Sequence, residues 1–144
     1  MAYVIPNEGE IHIMSAAFQA SGNFEVRLFS GTPTLTGTMT VTALAGYELT
    51  AGGYAAKALA ASAWCIPFTS ANSATVSASG GDAAGLKFTF TAAPNQSAHG
   101  YWIENAANKL IVVESFTDGP YYLSNAGDTV TVTPYVKLVS QSNP

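Results

Sequence analysis

The clearest pattern in this chain is the sequence GYWIENAANKLIVVESF, which runs from Gly100 to Phe116. Its two ends are rich in aromatic and β-branched residues, which favour strands, and the segment Asn105–Asn108 between them is typical of a turn. The pattern predicts a β-hairpin. Its second strand, Leu110–Phe116, is the most hydrophobic of the predicted strands, and we expect it at the centre of a sheet.

Short strands are predicted on both sides of this hairpin. Residues 24–29 and 87–91 alternate apolar and polar side chains, as half-buried strands do. Further strands are expected at 38–42, 54–59, 63–68, 73–79, 129–133 and 135–139. Strands of this length with turn signals between them predict an all-β fold, an antiparallel, jelly-roll-like β-sandwich of about 8–10 short strands.

One short helix is predicted near the N-terminus, at residues 7–20. Asn7 is expected to cap its first turn, and Glu10, three residues on, to complete a capping box. Met14 and Phe18 recur at helical spacing. This helix should therefore lie with one apolar face on the protein's own sheet.

The length and composition predict one globular domain. A chain of 144 residues has the size of a single ordinary domain. We expect an N-terminal arm at 1–6, one β-sandwich domain at 7–139 that includes the helix, and a flexible tail at 140–144. Because 48% of the residues are hydrophobic and only 10% are charged, the polar surface must come from hydroxyl groups and backbone.

The charge balance argues against nucleic acid and membranes as partners. Five lysines and arginines stand against nine acidic residues, a net charge of −4, and they are too few and too scattered for a basic patch. No apolar run approaches the roughly 20 residues that cross a bilayer. The first residues lack the pattern of a signal peptide, and the single cysteine, Cys65, favours folding in a cytosol.

Few residues fit a catalytic or metal site. The patterns of phosphate-binding loops and of the nucleophile elbow are missing from the sequence, and His12 and His99 lack the spacing of a zinc site. Cys65 is expected to be a small buried hydrophobe. We therefore predict no cofactor, no metal and no enzymatic activity. One enzymatic alternative stays open: a hairpin that brings Glu104 across from Glu114 would supply the carboxylate pair of a glycosidase.

Aromatic side chains are candidates for surface contacts. Neighbouring residues on a strand point to opposite faces, so Tyr101–Trp102 and Tyr121–Tyr122 should each turn one ring outward. Outward rings are typical of protein interfaces and of platforms on which sugars stack, and they also cover the edges of sandwiches. The candidate contact residues are Tyr101, Trp102, Tyr121 and Tyr122.

A succession of short segments extends along most of the chain. Ile5–Glu10 leads into the helix, and the strand Val26–Phe29 runs into a loop rich in threonine and proline. The later segments are Gly53–Leu59, Trp64, Phe88–Thr91, Gly100–Ile103, Glu114-x-Phe116 and Gly127–Pro134. This order resembles the capsid decoration (cement) proteins of tailed bacteriophages, except in the small-residue segment 60–85.

The resemblance implies a non-enzymatic structural virion protein. Such a protein is a β-sandwich that binds the major capsid protein on the outer surface of an assembled capsid and stabilises the contacts between capsid subunits. It is often a homotrimer, and it is made in the host bacterial cytoplasm. A protein that binds only the assembled shell stabilises that shell by mass action, and a closed trimer covers exposed sheet edges.

The contacts with the capsid or between subunits are expected in the arm and the first helical turn. The candidate residues are Ala2, Tyr3, Val4, Ile5, Pro6, Glu8 and Glu10. An apolar, strand-like segment ahead of a helix can add to a neighbour's sheet edge, and it can equally pair within its own sandwich. The alternative function is a glycan-binding adhesin module associated with the phage tail or fibre, with the outward aromatic rings as its sugar contacts.

Overall fold

The computed structural model describes residues 5–19, 22–65, 67–69, 73–77 and 86–139. Arm residues 1–4 and the predicted tail at 140–144 lie outside these ranges. Among the described residues, no helix has the length and apolar character needed to cross a membrane. The elements, in chain order, are α1 (Asn7–Phe18), β1 (Phe24–Phe29), α2 (Val41–Ala45), β2 (Lys57–Leu59), a 3-10 turn (Ala61–Ala63), β3 (Phe68–Thr69), β4 (Ser73–Ser77), β5 (Lys87–Thr89), β6 (Gln96–Ala98), β7 (Gly100–Asn105), β8 (Leu110–Ser115), β9 (Tyr121–Leu123), β10 (Thr129–Thr131) and β11 (Tyr135–Val139).

The described strands pair antiparallel and form four sheets. The largest sheet has the strand order β2-β1-β7-β8, and a second has the order β11-β4-β3. The pairs β10-β5 and β6-β9 form two small sheets. The prediction of a mostly β chain built from antiparallel strands is confirmed.

The predicted hairpin forms from β7 and β8, but β8 lies at an edge of its sheet and not at the centre. The central place belongs to β7, which pairs with β1 from Asn105 opposite Phe24 to Gly100 opposite Phe29. The apolar character of β8 has another cause. Its residues pack against two separate clusters, one on each face of the sheet. The hydrophobicity of β8 therefore indicates that both of its faces are covered, and not that the strand is central in the sheet.

Helix α1 packs on β3 and β4 of the three-stranded sheet. Met14 and Phe18 are buried and His12 is exposed, so the predicted apolar face is confirmed. The predicted capping box is wrong. The N-cap is Pro6, and the Glu10 carboxylate makes no hydrogen bond within the described residues. Glu10 cannot reach back to the helix start because its side chain is buried on the sheet-facing side of α1.

The segment predicted as a strand at 38–42 leads into the helix α2 instead. Thr40 is the N-cap of α2, and its hydroxyl accepts a hydrogen bond from the Ala43 N–H, a usual role of threonine before a helix. Threonine and valine favour strands locally. Here Leu44 is buried in a small cluster with Trp102, and this tertiary contact outweighs the local preference.

Two other predictions about strands need correction. The described residues of the 63–68 segment form no continuous strand: Ala63 ends the 3-10 turn, and Pro67, just before β3, lacks the N–H that a ladder requires. Conversely, β6 was not predicted. Its sequence QSA has no alternating apolar pattern, yet Ala98 is fully buried and the strand pairs with β9.

Candidate functional site

The predicted contact residues at the N-terminus fall into three groups. Residues 2–4 lie outside the described part of the chain. Pro6 and Glu8 are exposed and Ile5 is half-buried, and the Pro6 backbone is extended, with φ −63° and ψ 156°. Glu10 requires a correction. Its side chain is fully buried on the sheet-facing side of α1, so in this fold it offers no surface to a partner.

The prediction that β7 turns an aromatic ring outward is wrong. Tyr101 is 3% exposed and Trp102 is 1% exposed. The two rings do point to opposite faces, since Tyr101 joins the main core and Trp102 joins the small cluster under α2. A central strand covered on both faces has no outward side. The signal that was missed is α2, which supplies the second cover.

On β9 both aromatic rings reach solvent. Tyr121 is 37% exposed and Tyr122 is 65% exposed. The Tyr121 ring lies against Phe116, with 5.1 Å between ring centroids, and Phe116 lies 6.2 Å from Tyr101. Three rings therefore form a continuous series from the core to the surface, and Tyr121 is its outer end.

A groove of about 250 Å³ lies beside this outer ring. Its lining includes Phe116, Tyr121, Thr129 and Thr131. A hydrogen bond with Asp118 raises the pKa of the Tyr121 hydroxyl. An aromatic ring beside hydroxyl groups and a carboxylate is a combination that can stack on a sugar and bond its hydroxyls. The sequence offered no signal for this grouping, because its members come from separate parts of the chain.

Arg27, on β1, is the centre of a cluster of charged side chains. Its Nε donates to Glu104 Oε1 at 2.8 Å, its Nη1 donates to Glu48 Oε1 at 2.8 Å, and its Nη2 donates to Glu25. The Glu104 side chain is 6% exposed, and its second oxygen accepts the indole N–H of Trp102 at 3.4 Å. Burial disfavours the guanidinium charge, but these carboxylates outweigh that effect and raise the pKa of Arg27.

The sheet register explains why this cluster forms. Glu25 lies directly opposite Glu104 across β1 and β7, and Arg27 shares their face two residues along β1. Glu48 is brought in by an isolated bridge between its backbone and Phe29. Arg27 is the chain's one arginine, which was a usable signal in the sequence. Three carboxylates share one guanidinium in this cluster, and the Arg27–Glu48 pair links the 30–49 segment to the sheet.

The two carboxylates of the glycosidase alternative are not brought together. The hairpin register places Glu114 opposite Tyr101 and Glu104 opposite Leu110. Their positions are three residues apart along β7, about 10 Å, and lie on opposite faces of the sheet. Glu114 instead accepts the Tyr101 hydroxyl, and burial together with this bond raises the pKa of Tyr101. The hairpin therefore does not supply the carboxylate pair on which the glycosidase alternative depends.

The remaining reactive residues do not assemble a centre. The described residues contain no group of three or more His, Cys, Asp or Glu side chains arranged to hold a metal ion. Cys65 is half-buried against the main core, and its sulfur accepts the Ser77 N–H at 3.3 Å. Neither a protein-family model, nor a curated protein, nor a solved structure matches the chain. The candidate contact surfaces are thus the start of α1 and the Tyr121–Tyr122 pair with its groove.

Proposed function

We propose that this chain is a non-enzymatic structural protein of a tailed-phage virion. It binds the major capsid protein on the outer surface of the assembled capsid and stabilises the contacts between capsid subunits. The supporting observation is the surface where the chain enters α1. Pro6 is exposed and extended, and Glu8 is exposed beside it. By its sequence, an apolar segment ahead of a helix such as residues 2–6 can add to a neighbour's sheet edge.

The base of this arm is firmly held, which favours binding. Met14 and Phe18 bury one face of α1. The Phe18 ring lies 4.6 Å from the Trp64 ring and 6.1 Å from the Phe24 ring, measured between centroids. Because α1 is already ordered on the protein's own sheet, an arm that starts from it loses less conformational freedom on binding.

The rest of the surface is also suited to protein contacts. Large apolar side chains are exposed in several places, including Ile13 on α1, Leu35 and Tyr47 between β1 and β2, and Tyr135 on β11. Exposed tyrosine is enriched in protein interfaces, whereas charge is depleted from their centres. The proposal includes a jelly-roll-like sandwich packing of the sheets, self-association of the chain and synthesis in the host bacterial cytoplasm.

Quantitative mass spectrometry of purified virions tests the proposal. We expect the chain in an amount comparable with the major capsid protein. Absence from the virion would overturn the proposal. A few copies per particle would instead indicate a place in the tail or at a vertex, and would contradict a shell of bound copies.

A pair of truncations tests the arm itself. Deletion of residues 2–6 should leave the circular dichroism spectrum unchanged and abolish binding to purified capsids. Deletion of residues 140–144, which removes the same number of residues from the other end, is the matched control and should bind normally. Normal binding by the first truncation would exclude the arm as the contact.

A glycan-binding adhesin module is the second candidate function, and the groove beside Tyr121 favours it. Ligand-detected NMR against a panel of oligosaccharides tests this candidate. We expect saturation transfer from the protein to a bound sugar. This transfer should be lost in Tyr121→Ala and retained in Tyr135→Ala, which removes an exposed ring on a different strand. Absence of transfer from every sugar would exclude this candidate.

A further inference from the structure

The open edge of the largest sheet is formed by β8. In the order β2-β1-β7-β8, this strand pairs with β7 on one side and with no described residue on the other. It is six residues long, whereas β2 at the opposite edge has three. An unpaired edge of this length presents a row of backbone donors and acceptors to another strand.

The hydrogen bonds of the hairpin show which backbone groups face the open side. The Phe116 N–H donates to the His99 carbonyl at 2.9 Å, whereas the His99 N–H donates to Phe29, so the bond from Phe116 flanks a non-bonded pair, Gly100 opposite Ser115. Bonded and non-bonded pairs alternate along an antiparallel ladder. Glu114 therefore bonds to β7, whereas Val113 and Ser115 direct their N–H and C=O groups away from it.

Strand β8 carries one protection that is usual in edge strands, a β-bulge at Ile111, where the register with β7 shifts by one residue. Its side chains add little further protection. Leu110–Val113 are four consecutive apolar residues, each half-buried, with no charge or proline among them. Ile111 and Val112 touch the main core, and Leu110 and Val113 touch the small cluster under α2. The apolar area still exposed therefore lies along the edge, on both faces of the sheet, where a second strand would cover it.

We infer that β8 pairs with the same strand of a second copy of this chain, antiparallel about a two-fold axis. Two four-stranded sheets then join into one continuous sheet. Lys109 precedes the strand and Glu114 lies near its end. Antiparallel pairing brings each lysine to the end where the partner's Glu114 lies, whereas parallel pairing sets like charges together. The two-fold arrangement is closed, because each copy uses this edge once.

Sedimentation velocity of the 144-residue chain over a concentration series tests this pairing. The wild type should reach the mass of a dimer. Val113→Pro should stay monomeric, because proline has no N–H and its ring projects into the open side, while the bonds between β7 and β8 do not use that N–H. Val113→Thr keeps the N–H and the branched side chain, and as the matched control it should dimerise normally.

A charge reversal provides a second test that does not depend on the folding of the proline variant. Lys109→Glu should weaken the dimer about fivefold, because it places acidic side chains together at both ends of the pair. Lys109→Arg keeps the positive charge and, as the matched control, should dimerise normally. A wild-type chain that stays monomeric at every concentration would overturn the inference. So would a trimer, the state that the resemblance implies, because two strands paired about a two-fold axis close at two copies.

Discussion

Glu10 and Glu104 are both buried, and they differ in what surrounds their carboxylates. Glu104 lies on the central strand β7. One of its carboxylate oxygens accepts a hydrogen bond from the Arg27 guanidinium, and the other accepts one from the Trp102 indole N–H. Glu10 lies on the sheet-facing side of α1, where neither oxygen has a hydrogen-bond partner among the described residues. Taken as whole residues, Glu10 is 0% exposed and Glu104 is 4% exposed, so the extent of burial does not distinguish them.

The difference teaches how a β-sheet and a packed helix treat a buried charge. Removing a carboxylate from water costs several kcal/mol, and only a well-placed cation and further donors compensate for that cost. The register of β1 and β7 delivers Arg27 to Glu104. The apolar face of α1, formed by Met14 and Phe18, offers Glu10 no such donor. Removal of the cation beside Glu104 and removal of the Glu10 carboxylate should therefore change stability in opposite directions.

Removal of the cation from the sheet cluster should have the largest effect. Arg27→Met should lower the free energy of unfolding by about 2–3 kcal/mol, because it leaves Glu104 buried beside other carboxylates without a cation. The arginine is partly exposed, which keeps the loss at the lower end of the range for buried pairs. Urea unfolding measures it. Lys87→Met, at an exposed position, is the control and should change stability by less than about 0.5 kcal/mol. Equal losses in both variants would refute a stabilising role for the cluster.

Removal of the unpartnered carboxylate should stabilise the protein. Glu10→Met should raise the free energy of unfolding by about 1–2 kcal/mol, because a side chain of similar length replaces a buried charge with apolar surface. Thermal and urea unfolding at neutral pH measure the gain. Glu8→Met, at the exposed position two residues earlier, should give no such gain. A loss of stability in Glu10→Met would show that the carboxylate is satisfied in the folded protein.

Alkaline pH extends the comparison to buried hydroxyl groups. Burial is the largest cause that raises the pKa values of Tyr54 and Tyr101. The unfolded chain gives up these protons near pH ~10, at lower pH than the folded chain, so their contribution is fully present below about pH 10 and is lost as pH rises further. Urea midpoints measured at increasing pH should fall, and Tyr101→Phe should make that fall shallower. If the urea midpoint depends on pH in the same way in Tyr101→Phe, that result would contradict a raised pKa of Tyr101 in the folded protein.

The smallest effect is expected at the exposed member of the arginine cluster. The Glu25 side chain is 51% exposed, so Glu25→Gln should lower stability by less than about 0.5 kcal/mol. The side chain of Glu48 is 19% exposed, and Glu48→Gln should cost more. Double-mutant cycles with Arg27→Met measure each coupling energy. Equal couplings would show that exposure does not control the strength of these pairs.

The local pattern predicted several elements of the fold, and its failures have identifiable causes. Alternation located β1 and β5, and helical spacing located α1 with Met14 and Phe18 on its buried face. The hairpin of β7 and β8 followed from two apolar runs around a turn. At residues 38–42 the pattern predicted a strand where the chain leads into α2. The threonine-rich start of α2 favours a strand locally, and only the tertiary contacts of Leu44 favour the helix.

The candidate site was predictable only where one strand carries it. Tyr121 and Tyr122 were correctly expected to provide an outward ring. The groove beside Tyr121 also needs Thr129 and Thr131 from β10, which no spacing along the chain relates to it. The same limitation left the glycosidase alternative open in the sequence, because only the hairpin register shows that Glu114 lies opposite Tyr101 and not opposite Glu104.

By itself the sequence determined what depends on neighbours within a few residues. These properties are the strand periodicity, the amphipathic face of α1, the turn at Asn105–Asn108 and the scarcity of charge. The tertiary structure alone decided which strand is central, that both faces of β7 are covered, and which buried glutamate meets a cation. The physical reason is that periodicity along the chain indicates which residues share one face of a helix or strand. Burial and pairing depend on which distant segment covers that face.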